Sequence, residues 1–509
     1  MKLKVKDMNV CSGAAGTRIV IVNEADAVTL GIKAGDHVEV QTDAEVHTVA
    51  IVDVTSSDSF VAPGEILPYK EVLERLQGGS GDPAVVTVRP AERPPSLKAV
   101  RRKMKGRTLS EAEIEGIVSD ATRGVLSKVE LAGFLTSLEI NGLNEDEIVA
   151  LTRAMANSGL SVKFAPPVYE KHSTGGVPGN KISLVIVPIV AAAGLRIPKT
   201  STRAITSPSG TADTMECLAP IEHDPETLKE ILRDVGGFVA HGGGLNVAPA
   251  DGIFIEVERV LNIDPKGLIV ASILAKKLAM SVQRLVLDVP CGPGTKFPTP
   301  EAGEQFAHLF KRVAAKVGVE AECALTLANQ PVGHAVGPAL EAREALRLLG
   351  NWSAGPTSLI EKSTTLAGIL LEMGGVVPKG RGQERAKEIL RSGAALEKMR
   401  QIVEAQGGDP EVTPADLPVG RHVHEVFSTK EGYVTDVDNA QINEVAKAAG
   451  CPTRKGAGLV LHRKIGAFVR EGDKLMDVYA ESESYLSRAI TKLNQRNPVI
   501  LGGMLIKRV

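Results

Sequence analysis

The stretch Lys171-His172-Ser173-Thr174-Gly175-Gly176-Val177-Pro178-Gly179-Asn180-Lys181 collects the groups from which an oxyanion site is made. Its glycines let the backbone come close to a ligand, while a hydroxyl, open amides and a lysine can donate to ligand oxygens. The apolar run that follows, ending at Gly194, reads as a helix whose positive end would favour negative charge. A plain tight turn with solvated polar residues would use the same composition, and the spacing GxxxxGK[ST] of a Walker loop is absent. A second stretch, Lys199 to Thr211, places six Ser/Thr hydroxyls from Ser201 to Thr211 around Arg203, whose fork could grip an anion in bidentate fashion. A solvated loop is the alternative.

The elements that must hold these loops can be read from pattern. Residues 1–90 carry short alternating runs, Arg18 to Val22 and His37 to Gln41, around a helix that Asn23 could cap, and predict a β-rich module. Pro90, Pro94 and Pro95 then predict a linker. From 96 to 165 three capping boxes, Ser110/Glu113, Ser127/Glu130 and Asn144/Glu147, predict a helical lobe, to which residues from about 249 to 281 are expected to return. Residues 166–248 and 282–415 alternate helix, strand and glycine-rich turn, as in Ala271 to Met280 followed by Arg284 to Val289, and predict an α/β core. Residues 420–509, with turns expected at Gly432-Tyr433-Val434, Ile465-Gly466 and Glu471-Gly472-Asp473, read as an α+β domain. The Ile465 to Asp473 pattern is similar to lipoyl-type carrier domains but lacks a Met-Lys-Met hairpin, so it is read as structural.

Composition narrows the classes. The 509 residues balance 59 basic against 61 acidic side chains, which offers no field to draw in nucleic acid or membrane. Aromatic residues make up only 3%, leaving few stacking platforms for single strands. Cys11, Cys217, Cys291, Cys323 and Cys451 lie far apart, which suits a reducing, cytoplasmic setting without disulfides, and no signal peptide or membrane span is readable. Scattered histidines without HExxH spacing speak against a metal site.

Several motifs in one order carry a family resemblance. Lys-His-Ser-Thr-Gly-Gly at 171–176, Ser-x-Arg with Ser-Gly-Thr-x-Asp-x-x-Glu across 201–216, Ala248-Pro249-Ala250-Asp251 and Ala271-Ser-Ile-Leu-Ala-Lys-Lys277 resemble the thymidine and pyrimidine-nucleoside phosphorylases. The long archaeal AMP phosphorylase branch is similar essentially end to end, through 172–181, Arg203 to Ser207, Asp264-Pro265 and Gly333 to Glu344. The resemblance implies an α/β core with a helical lobe, a homodimer or larger homo-oligomer, inorganic phosphate as co-substrate and no other cofactor. It implies substrate binding by Gly176, by Thr202, Arg203, Ala204, Ile205, Thr206 and Ser207, and by Thr211, Ser272 and Lys296, with Asp264 as proton donor.

For phosphorolysis, Lys171, Ser173, the amides of Gly175 and Gly176, Ser183, Ser201 and Thr211 are expected to hold phosphate beside C1′ of the sugar. Asp264, with His172, Ser272, Lys276 and Lys296 nearby, is expected to neutralise the leaving base. Asp264 could equally be a helix-capping aspartate, and His172 a structural loop residue. The short enzymes carry a pyrimidine-contacting arginine fifteen residues before the serine matched by Ser272, and Val257 stands there instead. Pro178 and Thr202-Arg203-Ala204-Ile205 also depart from the short enzymes, whereas Lys171 and Thr174 match them. The departures favour the nucleotide-using branch and the matches the nucleoside enzymes; a thymidine or pyrimidine nucleoside is placed as the first substrate expectation, with a nucleoside 5′-monophosphate yielding ribose 1,5-bisphosphate as the alternative. A phosphoribosyltransferase would need a Gly-Thr-Gly-Gly-Asp signature, which is missing. A non-catalytic scaffold would have no use for complete phosphate loops.

Overall fold

The computed structural model describes residues 1–12, 17–77, 83–204 and 207–503. The chain divides into two compact units, Met1–Leu160 with Ala248–Lys276, and Ser161–Val247 with Lys277–Val509.

In the first unit six strands close a barrel: Lys2–Val5, Glu65–Pro68, Ile19–Asn23, His47–Thr55, His37–Thr42 and Val85–Pro90, in that spatial order. Alternation puts Val20, Val22, Val38, Val40, Val52, Val86 and Val88 inside. The Asn23 side chain caps helix Glu24–Leu30 by accepting from the Ala25 amide at 3.0 Å. Capping boxes start all three expected helices, Glu111–Thr122, Lys128–Asn141 and Glu145–Ala156. The proline-rich segment is not a free linker. Pro90 ends a barrel strand and Pro95 occupies the first turn of helix Pro95–Met104, where a missing amide donor costs nothing. The helix Pro249–Leu261 joins this lobe, with Phe254 tilted against Phe134 at 6.1 Å between ring centroids.

The second unit holds a parallel sheet in the order Glu320–Leu327, Arg284–Cys291, Tyr169–Ser173, and a parallel pair Ile197–Ser201 with Gly237–His241. The Tyr169 amide donates to the Arg196 carbonyl at 2.9 Å and ties the two together. Helix Ser183–Ala192 is buried from Ser183 through Ala191, the pattern of an element covered on every side. Toward the C-terminus, strands His422–Phe427, Gly458–Leu461 and Lys474–Ala480 form an antiparallel sheet that also takes in Ala335–Val336. Gly432 to Val434, expected as a turn, opens the strand Gly432–Val437, in which Tyr433 stacks edge-on to Phe468. The whole is an α/β core with a helical lobe, an N-terminal β module and a C-terminal α+β region. Among the described residues no helix is long and apolar enough to cross a membrane.

Candidate functional site

The glycine-rich loop begins where strand Tyr169–Ser173 ends, with Ser173 in register with Asp288 of the neighbouring strand. Asp288 is wholly buried, so its carboxylate needs partners. Its Oδ2 accepts from the Ser173 hydroxyl at 2.8 Å, its Oδ1 from Thr326 at 2.6 Å, and Lys362 Nζ lies 3.0 Å from Oδ2. Burial alone would raise the Asp288 carboxyl, but Lys362, Lys171 and the two hydroxyls outweigh it and hold it below its ordinary value. Lys171, on the same strand, is buried; desolvation lowers its ammonium to about 7, Asp288 opposing and Lys199 and Lys362 adding to the fall. Strand alternation turns His172 to the face opposite Lys171 and Ser173.

Ser173 Oγ also accepts from the Gly175 amide at 3.3 Å and from Asn180 Nδ2 at 3.2 Å, so this hydroxyl shapes the loop. Gly176 has φ +87°, and a Cβ there would sit 3.1 Å from Thr295 Cα, which places the loop against the turn bearing Lys296. Gly179 is held as closely, since a Cβ would meet the carbonyls of Val332 and Ala335 at 2.7 and 2.8 Å. Lys181 fastens the loop's end, donating to Val332 O at 2.9 Å and to Glu344 Oε2 at 2.6 Å with its side chain fully buried. Glu344 in turn accepts from the His334 and Ala335 amides. Lys464 reaches the same turn through the carbonyls of Pro331 and Gly333, and burial with Lys181 nearby lowers it to about 7. Two hydroxyls of the loop region, Thr174 Oγ1 and Ser183 Oγ, are buried without a hydrogen-bond partner.

The second stretch is organised differently from the sequence expectation. The Arg203 fork closes on Glu216, at 2.7 and 2.6 Å, so its bidentate donors are spent inside the protein. The Arg203 bond, opposed by partial burial and aided by Lys455, lowers Glu216 to about 2. Lys455 Nζ lies 2.6 Å from Glu216 and 3.6 Å from Asp213. Asp213 Oδ2 accepts from the amides of Ala204 and Gly210 at 2.7 and 3.0 Å and pinches the loop between them. Ser201 and Ser207 donate to the carbonyls of Thr202 and Ser209, Thr202 is exposed, and Thr211 is the first residue of helix Thr211–Met215. Ile205 and Thr206 lie outside the described residues.

In the first unit, Lys276 Nζ donates to Asp251 Oδ2 at 2.6 Å and to Ser272 Oγ at 3.1 Å. Ser272 and Lys276 are four apart on helix Lys266–Ala279, so they share a face. Asp264 stands exposed just before that helix, eight residues ahead of Ser272 in the chain. Asp251 was quoted for its motif without a role, and its buried carboxylate is what orients Lys276. Val257 is buried on Pro249–Leu261 and supplies no polar contact. Asp288 and Lys362 were missed altogether; a single aspartate inside the apolar run Arg284–Cys291 was the available signal.

Comparison with known proteins follows the same layout. Residues 97–159 match the helical bundle domain of the glycosyl transferase family, 165–396 its a/b domain, and 433–499 the pyrimidine nucleoside phosphorylase C-terminal domain. An AMP phosphorylase of Methanosarcina barkeri is 45% identical over 510 residues, covering 100% of this chain and 99% of that protein. One from Thermococcus kodakarensis is 44% identical with the same coverage. Among solved structures, anthranilate phosphoribosyltransferase from Thermus thermophilus aligns with a TM-score of 0.51 at 22% identity, over 60% of this chain and 99% of that one, a likeness of fold alone.

Proposed function

Because this chain belongs to the thymidine and pyrimidine-nucleoside phosphorylase family of pentosyltransferases, sharing full-length identity with the AMP phosphorylases, we propose that it splits a nucleoside 5′-monophosphate, AMP foremost, with inorganic phosphate. The nucleoside expectation placed first on sequence grounds gives way to its alternative. The observation that carries this reading is 44–45% identity, over the full length, with proteins named AMP phosphorylase. The buried, apolar Val257, at the position of the pyrimidine-contacting arginine of the short enzymes, supports it.

In the reaction, a phosphate oxygen forms a bond to C1′ as the bond from C1′ to the base nitrogen breaks. The base leaves with the electron pair and takes up a proton, and the products are free base and ribose 1,5-bisphosphate. Lys171 and the loop from Ser173 to Ser183 hold the attacking phosphate, whose charge offsets the cation developing on the sugar. Ser272 and Lys276, oriented by Asp251, serve the base, and Asp264 is the proton donor that the family resemblance assigns. The Thr202 to Ser207 loop, Thr211 and Lys296 contribute to substrate binding.

Parallel assays of phosphate-dependent base release from AMP, CMP, UMP, thymidine and uridine test the proposal. AMP is expected to give the highest kcat/KM; a preference for thymidine over every monophosphate would overturn the substrate reading. An Asp264→Asn variant with undiminished turnover would remove the assigned acid.

A further inference from the structure

We propose that Lys362, on helix Thr357–Met373, is a second phosphate-binding cation that works beside Lys171, an inference that rests on the phosphorolysis reading above. Nothing in the sequence singled this lysine out, and it lies far along the chain from both phosphate loops. Its ammonium is buried and touches Asp288 Oδ2 at 3.0 Å, the same oxygen that receives the Ser173 hydroxyl at 2.8 Å. Two atoms bound to one oxygen lie within the sum of those contacts of each other, so Lys362 Nζ sits at the mouth of the glycine-rich loop.

The ammonium is also unspent. An ammonium carries three donors, yet Nζ makes no hydrogen bond of good geometry and has only its charge contact with Asp288, which accepts from Ser173 and Thr326. A buried cation so poorly satisfied is costly unless something else completes it. Thr174 Oγ1 and Ser183 Oγ, from the loop itself, are buried and unsatisfied in the same way. One tetrahedral anion supplies acceptors to all three.

Charge accounting favours the same assignment. Of the other cations close to the loops, Arg203 is committed to Glu216, and Lys199 and Lys277 both bind Glu170. Lys171 and Lys362 share the single carboxylate of Asp288, which leaves this pocket one positive charge in excess when both are protonated. Asp288 then has a positioning role: it aims Lys362 and Ser173 while the anion takes the surplus charge.

Calorimetric titration with inorganic phosphate, paired with initial rates of AMP phosphorolysis, tests this on the full chain. Lys362→Gln keeps a side-chain amide donor of similar reach beside Asp288 and removes the charge. With its folding checked by melting, it is expected to weaken phosphate binding and raise the phosphate KM by roughly ten- to a hundredfold, the worth of a charged hydrogen bond, while the KM for AMP stays put. Lys362→Arg is expected to stay within about threefold of the parent in phosphate affinity, since the charge is kept. If Lys362→Gln binds phosphate as the parent does, Lys362 is only a counter-ion for Asp288 and the proposal falls alone. Should Lys362→Gln fail to fold, a tenfold loss of affinity in a folded Lys362→Arg overturns it. If the parent protein neither binds phosphate nor releases base, the phosphorolysis reading itself has failed.

Discussion

Lys181→Met puts a number on the clamp that closes the glycine-rich loop. Lys181 Nζ is fully buried, with Glu344 Oε2 at 2.6 Å and the Val332 carbonyl at 2.9 Å. Methionine nearly fills the same volume but leaves the Glu344 carboxylate, among its hydrogen-bond donors in the described residues, with the His334 and Ala335 amides. Removing one partner of a buried ion pair costs about 3–5 kcal/mol, and the lost bond to Val332 adds about 1 kcal/mol. Lys464 returns part of that. Burial and Lys181 lower it to about 7; once Lys181 is gone it charges more readily beside Glu344. The net expectation is a loss of about 3–4 kcal/mol, several degrees in melting temperature by scanning calorimetry. Lys181→Met/Glu344→Gln separates the charge from the packing, because the amide oxygen still accepts from the two backbone donors. It should recover at least half of the loss. A single variant within about 1 kcal/mol of the parent, or a double variant no better than the single, would refute the view that an unpaired carboxylate is the penalty.

The Lys171 ammonium sets a pH dependence. Its folded value of about 7 lies below its ordinary 10.5, so the charged form that attracts phosphate predominates below about pH 7 and is lost above it. The kcat/KM for phosphate should fall up to tenfold per unit on the alkaline side, and Asp288→Asn, which removes a charge favouring the ammonium, should move that limb to lower pH. Stability moves in the opposite sense: the unfolded chain holds more protons at this lysine between about 7 and 10.5, so this term strengthens the fold as pH rises through that window, which denaturant midpoints at pH 7 and 9 would register. Lys276→Met leaves the Asp251 carboxylate buried without its ammonium, and should raise the KM for the nucleotide at least tenfold with the phosphate KM unchanged. Equal rises in both would deny Lys276 a role at the base.

Local chemistry was the legible part of this chain. Capping boxes need only residues three apart, and all three appear; the glycine-rich loop announces itself because positive φ and close backbone approach demand glycine at Gly176 and Gly179. Whatever depends on distant partners was hidden. Arg203 looked like a phosphate grip because Glu216, thirteen residues on, meets it only in the folded loop, which Asp213 pinches between Ala204 and Gly210. Barrel closure, which pairs Lys2–Val5 with Val85–Pro90, likewise has no short-range signature. Lys362 and Asp288 come from separate helices and strands, and no spacing rule links them.

The ammonium of Lys455 makes the C-terminal region a stakeholder in the loop after strand Ile197–Ser201. Glu216, at the end of helix Thr211–Met215, accepts Arg203 from that loop and Lys455 together, the latter from a segment more than two hundred residues downstream. A chain cut before residue 420 would retain each residue of both loops while surrendering that counter-ion and the strand partner of Ala335–Val336. Exchanging C-terminal modules between relatives should therefore retune the loop without altering its sequence.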